Sequence, residues 1–312
     1  MTKIFIDGQV GTTGLQIFDM LHTRDDIEVL SIPDNKRKDP EVRKELITAS
    51  EISILCLPDD AAREAVSLNA DESRIIDAST AHRTNDDWVY GLPEMSQAQR
   101  EAIKDAKLLS NPGCYPQGFI LLVKPLIEES LLNPDTNLVC SAVSGYSGGG
   151  RQMIETFEAR QQKDTDKLAV QDYGLTLNHK HVPEMQKYTG LSRAPIFLPS
   201  VANYYKGMIV RVPIAMELLN QGSANKVVSC LKQKYEHNPF IRIYDCNDQN
   251  ALEDGRLNAV ACNGTNFMDL MIFGNAQQIV LMARYDNLGK GAAGAAIQNL
   301  NLMLGFDEET GL

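Results

Sequence analysis

The chain has 312 residues, 43% hydrophobic and 23% charged, with 30 Lys and Arg against 41 Asp and Glu for a net charge of −11. At roughly 150 residues per domain that length suits two domains, each able to bury a core without disulfides or metals. A surface this acidic repels nucleic-acid phosphates and anionic membranes, so no nucleic acid or membrane partner is expected and an anionic ligand needs a local site.

The opening MTKIFIDGQVG has one Lys before a short strand-like run and does not read as a signal peptide. No apolar run reaches the ~18 residues needed to span a bilayer, so a soluble, cytoplasmic protein is expected. Residues 3–7 read as a buried strand, followed by the loop GQVGTTG and a helix over 15–21 with apolar positions three and four apart. Further strands are predicted over 27–32, 51–57, 74–77 and 107–110, with helices over 59–70 and 96–104, the latter capped by Ser96. Strands alternating with helices predict an α/β, Rossmann-like parallel sheet. Pro112 and Gly113 break the pattern and set a first domain at 1–113.

Beyond them the composition turns to strand. Strands are predicted at 138–143, 195–200, 207–213, 241–244, 258–263 and 278–285, with helices at 116–132, 151–163 and 224–235. That balance predicts a second, α+β domain over 114–289, a mostly antiparallel sheet with helices on one face. A last helix at 291–304 is nearly all Ala, Ile, Leu, Gln and Asn. Such small residues allow close packing, and 290–312 is expected to return to the first domain.

Six cysteines form no CxxC pair, and the five histidines include no HExxH, so no metal site is expected. Cys56, Cys140, Cys230 and Cys262 sit among apolar or small residues and read as buried thiols, while Cys246 lies in a polar, exposed stretch.

Gly8, Gly11 and Gly14, with Thr12 and Thr13 between them, lie between the first strand and the first helix. Glycines there permit a tight turn and let backbone approach a pyrophosphate at the helix N-terminus, although the spacing departs from GxGxxG. After the second strand come Asp34, Asn35, Lys36, Arg37 and Lys38. The three cations favour NADP(H) through its 2′-phosphate; Asp34 leaves NAD open, and a solvated charge run is the plain alternative.

Ser110-Asn111-Pro112-Gly113-Cys114-Tyr115-Pro116 carries the strongest local signal. A cysteine that opens a helix lies in the field of its first N–H groups, which favours the nucleophilic thiolate. Ser144 to Arg151, SGYSGGGR, reads as an anion or oxyanion nest before another helix, with Ser147 and Gly148 as binding candidates. His179 and His181 stand at i and i+2, which in an extended segment puts both rings on one side, with Glu184 close behind. A histidine pair beside a carboxylate suits acid/base work.

Taken together, DGQVGTTG, IIDASTAHR, YGLPEM, SNPGCYP, SGYSGGGR, HKHVPEM, LPSVANYYKGM and DNLGKGAAGAAIQNLN resemble the shorter type of N-acetyl-γ-glutamyl-phosphate reductase. These pieces run from residue 6 to about residue 302, and SNPGCYP with HxHxPE separates that family from the related aspartate-semialdehyde dehydrogenases. Gly149 stands where longer family members often carry Ala. The resemblance implies an NADPH-dependent acyl-phosphate reductase of arginine biosynthesis. It implies Cys114 as the nucleophile that forms a thioester, and His179, ahead of His181, as acid/base. It also implies a homo-oligomer, dimer or tetramer. Arg83 is the candidate phosphate or carboxylate partner, since Arg offers a bidentate fork, with Asn111 and Glu184 as further substrate contacts. Aspartate-β-semialdehyde dehydrogenase, or an NADP-binding sensor without catalysis, are the alternatives.

Overall fold

Short runs of Ile, Leu and Val in the first half fold as strands, the central ones buried on both faces as the interior of a parallel sheet requires. They are β1 (Thr2–Asp7), β2 (Ile27–Leu30), β3 (Ile52–Leu55), β4 (Arg74–Asp77), β5 (Val89–Tyr90) and β6 (Leu108–Ser110). All pair in parallel, in the order β2-β1-β3-β4-β6-β5. The structure, a computed structural model, describes residues 1–69, 73–161, 169–220 and 222–312. Helices α1 (Thr12–Leu21), α2 (Pro40–Ala49), α3 (Asp59–Leu68) and α4 (Gln97–Asp105) alternate with the strands. Ser96 caps α4 by accepting from the Gln99 N–H at 3.0 Å.

Hydrophobic spacing does not reveal α2, because its buried positions are Arg43 and Ile47. Arg43 is buried through charge: its guanidinium donates to Asp7 at the end of β1 (2.9 Å) and to Glu64 on α3 (3.0 Å).

The second half builds α5 (Cys114–Glu128), β7 (Val139–Gly145), α6 (Gly150–Gln161), β8 (Val170–Asp172), α7 (Val182–Thr189), β9 (Ile196–Ala202), β10 (Met208–Ala215), α8 (Ala224–Tyr235), β11 (Ile241–Ile243), β12 (Met268–Gly274) and β13 (Gln278–Tyr285). The sheet order is β11-β12-β13-β10-β7-β9-β8, parallel at β11–β12 and β7–β9 and antiparallel elsewhere. Helix α5 lies on β10 and β13, α8 on β11 and β12, and α7 on α5. Alternate residues of β7, β9 and β10 are buried. On the opposite face Ile196 and Leu198 stay 45% and 43% exposed, beside half-buried Val139, Val143, Val280 and Met282.

Residues 258–263, expected as a strand, form turns, and β12 supplies the strand instead. Their alternation reflects packing around a buried ion pair. Arg284 donates to Asp269 (2.6 Å) and to the Asn258 carbonyl (3.3 Å), while the Cys262 thiol donates to Asp269 (3.3 Å). Cys56, Cys230 and Cys246 are half-buried, unlike the buried and exposed positions expected of them. The expected helix ends at 70 and at 162–163 lie outside the described residues.

After a π-helical turn at Gly289–Ala293 the chain forms α9 (Gly294–Leu304). Ile297 and Leu300 of α9 join Ile17 and Leu21 of α1 and Ile103 of α4 over Ile4, Ile6, Ile52, Ile54 and Leu109 of the parallel sheet. The chain thus divides into Met1–Gly113 with Ala292–Leu312, and Cys114–Gly291. The return crossing falls two residues beyond the expected 289/290, because Gly291 stays with the second unit, its N–H donating to the Asp286 carbonyl at 2.9 Å. Among the described residues no helix is long and apolar enough to cross a membrane.

Candidate active site

In the first unit β1 ends at Asp7, and the chain turns at Gly8 with φ +88°, a left-handed value that suits glycine. A Cβ on Gly8 would lie 2.3 Å from the Cys56 carbonyl oxygen, and one on Gly14 would lie 2.5 Å from the Gly8 oxygen. Strand, turn and helix therefore touch backbone to backbone. Gly11 precedes α1 with no side-chain cap, and the first turn, containing Thr12 and Thr13, carries no acid. The first N–H groups of α1 have no side-chain cap, and an anion would fit both their geometry and the helix dipole.

The cations after β2 lie on a short 3₁₀ turn and its exit. Lys36 pairs with Asp39 (2.9 Å) and Arg37 with Asp34 (2.5 Å), both at the surface, while Lys38 is exposed. Exposed pairs of this kind are worth about 0–1 kcal/mol, so an incoming phosphate can displace them. Arg83 is buried and donates to the Ala78 carbonyl at 2.9 Å. Asn111 has its amide engaged at both ends, donating to the Ala292 carbonyl (3.0 Å) and accepting from Asn299 (3.3 Å).

In the second unit Cys114 is the first residue of α5, half-buried, with Tyr115 and Pro116 completing the helix start. Tyr115 leads from the thiol to the histidines. Its ring lies 6.4 Å from that of His179 and 5.8 Å from that of His181, and the two imidazoles are 4.7 Å apart.

The pair does not lie on an extended segment. His181 has φ −85° and ψ −14° and stands just before α7, in a turn closed by the Val182 N–H donating to the His179 carbonyl at 3.0 Å. Pro183, in the first turn of α7, favours a helix start there, so the rings meet edge to face across the turn. The His181 N–H also donates to His179 Nδ1 (3.2 Å), which leaves the neutral ring's proton on Nε2. His179 is enclosed by Tyr115, Tyr173 and Phe197. Burial, with the Lys180 charge adding to it, pushes its pKa down to about 4. At neutral pH this imidazole is an uncharged hydrogen-bond donor.

Tyr173 donates to the Tyr115 hydroxyl at 3.0 Å, and burial, reinforced by Tyr173 and Cys114, raises the Tyr115 phenol well above its ordinary pKa. Glu184 is buried in the first turn of α7. In the glycine loop Ser147 accepts from Asn287 (3.0 Å), whose carbonyl oxygen takes the Gly207 N–H (2.7 Å). Gly148 is exposed, and α6 opens at Gly150, one residue before the expected Arg151.

Sequence reasoning missed Tyr115, Tyr173, Phe197 and Asn287 as parts of this arrangement. Tyr115 adjoins Cys114 and could have been found; the others come from remote elements without a local motif. Among the described residues no cluster of three or more His, Cys, Asp or Glu could hold a metal ion.

Residues 31–106 match the family described as "Semialdehyde dehydrogenase, NAD binding domain", and residues 114–287 match "Semialdehyde dehydrogenase, dimerisation domain". The chain is 48% identical to N-acetyl-gamma-glutamyl-phosphate reductase 2 of Nostoc sp., covering 99% of each chain. It is also 48% identical to N-acetyl-gamma-glutamyl-phosphate reductase of Brucella ovis, covering 97% of this chain and 99% of that one. The fold is similar to aspartate semialdehyde dehydrogenase II of Vibrio cholerae, at TM-score 0.73 and 14% identity over 97% of this chain and 98% of that one. It is likewise similar to aspartate semialdehyde dehydrogenase with NADP from Candida albicans, at TM-score 0.67 and 12% identity over the whole of both chains. With close to half its residues shared along nearly the entire length of these reductases, the chain belongs to the N-acetyl-γ-glutamyl-phosphate reductase family.

Proposed function

We propose that the protein reduces N-acetyl-γ-glutamyl phosphate to N-acetylglutamate semialdehyde and inorganic phosphate, with NADPH, in arginine biosynthesis. The observation that carries this reading is a cysteine at a helix start sharing one compact unit, through Tyr115, with two imidazoles. The Cys114 thiolate adds to the acyl carbon, the carbon–oxygen bond to phosphate breaks, and a thioester remains on the enzyme. Dividing the reaction at a covalent intermediate replaces one difficult step by two easier ones. Bound NADPH supplies the hydride that reduces this thioester. His179 Nε2–H donates a hydrogen bond to the oxyanion that hydride addition creates, and this oxyanion collapses to the aldehyde as the carbon–sulfur bond breaks and the Cys114 thiolate is released.

Gly8, Gly11, Thr12, Thr13 and Gly14 hold the pyrophosphate in this reading, and Lys36, Arg37 and Lys38 the 2′-phosphate. His181, Glu184, Ser147, Gly148 and Arg83 serve the substrate's polar groups. Asn111, with its amide committed on both sides, is better suited to fixing its own turn. The protein works as a cytoplasmic homo-oligomer, with a second copy covering the sheet face that carries Ile196 and Leu198.

The test is phosphate-dependent reduction of NADP⁺ with N-acetylglutamate semialdehyde and, separately, aspartate semialdehyde. Preference for the acetylated substrate is expected; preference for aspartate semialdehyde overturns the substrate assignment, and no turnover of either leaves a binding protein. Mass spectrometry after mixing with acyl phosphate in the absence of NADPH should place one acyl adduct on Cys114. An adduct on another cysteine removes the nucleophile assignment.

A further inference from the structure

Helix starts fray, because their first N–H groups lack partners within the helix. A nucleophile placed at such a start needs its backbone held from outside. Here the Tyr285 phenol donates to the Cys114 carbonyl at 2.6 Å and accepts from the Gly118 N–H at 3.1 Å. From the end of β13 one hydroxyl thus bridges the Cys114 carbonyl and the Gly118 N–H four residues on, the pair that opens the helical ladder of α5.

Three features show that the chain is built around this contact. Gly118 is a poor helix former inside a helix, yet a Cβ there would lie 2.7 Å from the Tyr285 hydroxyl oxygen and 2.9 Å from its ring. Tyr285 is itself fully buried, paired with Met208 of β10 and Met268 of β12. Its chain neighbours are anchored by charge: Arg284 on Asp269 at 2.6 Å, and Asp286 on Lys206 at 3.0 Å. Burial, with the Cys114 charge adding to it, keeps the phenol protonated far above neutral pH, so its donor bond persists when the thiolate forms.

We infer that Tyr285 is a positioning residue for Cys114: its hydroxyl fixes the first turn of α5 so that the thiolate stays in line with the helix N–H groups and with its target. The inference rests on Cys114 being the nucleophile. A shift of about 1 Å in a reacting group costs up to about 100-fold in rate.

Tyr285→Phe keeps the ring and removes the bridge. Expected are a fall in kcat of about tenfold or more, KM values for acyl phosphate and NADPH within about twofold, and a higher pH midpoint for alkylation of Cys114 by iodoacetamide. Gly118→Ala, which drives the hydroxyl away while leaving it in the protein, should give the same pattern. Unchanged kcat and alkylation with only a lowered Tm would make Tyr285 a packing residue and overturn the inference. A rise in KM matching the loss of kcat would assign the hydroxyl to substrate binding and also overturn it. If wild-type enzyme forms no acyl adduct on Cys114, the nucleophile assignment fails instead, so the two failures are distinguishable.

Discussion

The two helix starts that serve the proposed chemistry are built in opposite ways. At α1 everything is backbone: a Cβ on Gly8 or Gly14 would meet the Cys56 or Gly8 carbonyl oxygen at distances no side chain tolerates, and the groups the proposed reading offers to a ligand are N–H donors. At α5 the working group is a side chain, and its support comes from remote aromatic residues: Tyr285 on β13 holds the Cys114 carbonyl, while Tyr173 after β8 and Phe197 on β9 enclose His179. The first start should tolerate changes in side-chain chemistry but not in side-chain presence. The second should keep its fold after changes that abolish turnover.

The sharpest break is expected at Cys114→Ser, which should lower turnover by roughly 10³ or more, since an alkoxide is far scarcer than a thiolate at neutral pH. NADPH binding by fluorescence titration and Tm should stay near wild type. Loss of both along with activity would mean that α5 cannot keep its fold when its working group changes.

His179→Asn should lower kcat by about 10² to 10³ with little change in substrate KM, as befits a donor to the transition-state oxyanion. His181→Asn should instead raise KM; the reverse pattern exchanges the two roles. His179 also carries a pH signature. Its folded pKa near 4 lies below the ordinary 6.5, so the unfolded chain binds the proton more readily between those values. The stability it contributes is complete above about pH 6.5 and is lost as pH falls towards 4. Thermal melts across that window should show a shallower acid decline for His179→Asn.

Gly8→Ala tests the backbone side of the comparison. With φ +88° and a carbonyl oxygen 2.3 Å from the new Cβ, it should destabilise the protein by about 3 kcal/mol or more and abolish NADPH binding. Gly11→Ala, with φ −74° and its nearest neighbour at 3.4 Å, should cost about 1 kcal/mol or less. Equal costs would show that the turn adapts.

The smallest effect is expected where side chains do serve the first unit. Replacing Arg37 and Lys38 by Ala should raise KM for NADPH about tenfold and leave KM for NADH nearly unchanged. Equal changes would mean that these cations do not meet the 2′-phosphate.

The same contrast explains what could be read from the sequence. Strands β4 and β13 and helix α8 coincide with their predicted bounds, because their apolar spacing and flanking turn residues agree. Helix α2 stayed hidden because an ion pair, not a methyl group, buries Arg43. The turns at 258–263 misled because small alternating residues can wrap an ion pair as well as form a strand. Cys114 was legible from Pro-Gly beside it. The aromatic enclosure of His179 and the phenol behind Cys114 were not, since each belongs to an element whose own pattern is explained by packing.

The division of the chain also bears on its making. The core above the parallel sheet takes Ala293, Ala296, Ile297 and Leu300 from the far end of the sequence. A nascent chain emerging from the ribosome has every strand of that sheet in hand by Ser110, yet lacks the helix that completes one of its faces until the whole second unit and α9 (Gly294–Leu304) have been synthesised. The second unit, continuous from Cys114 to Gly291, can complete itself first. Until α9 arrives that face, covered only by α1 and α4, stays partly open, the interval in which such chains are most exposed to aggregation and to capture by chaperones.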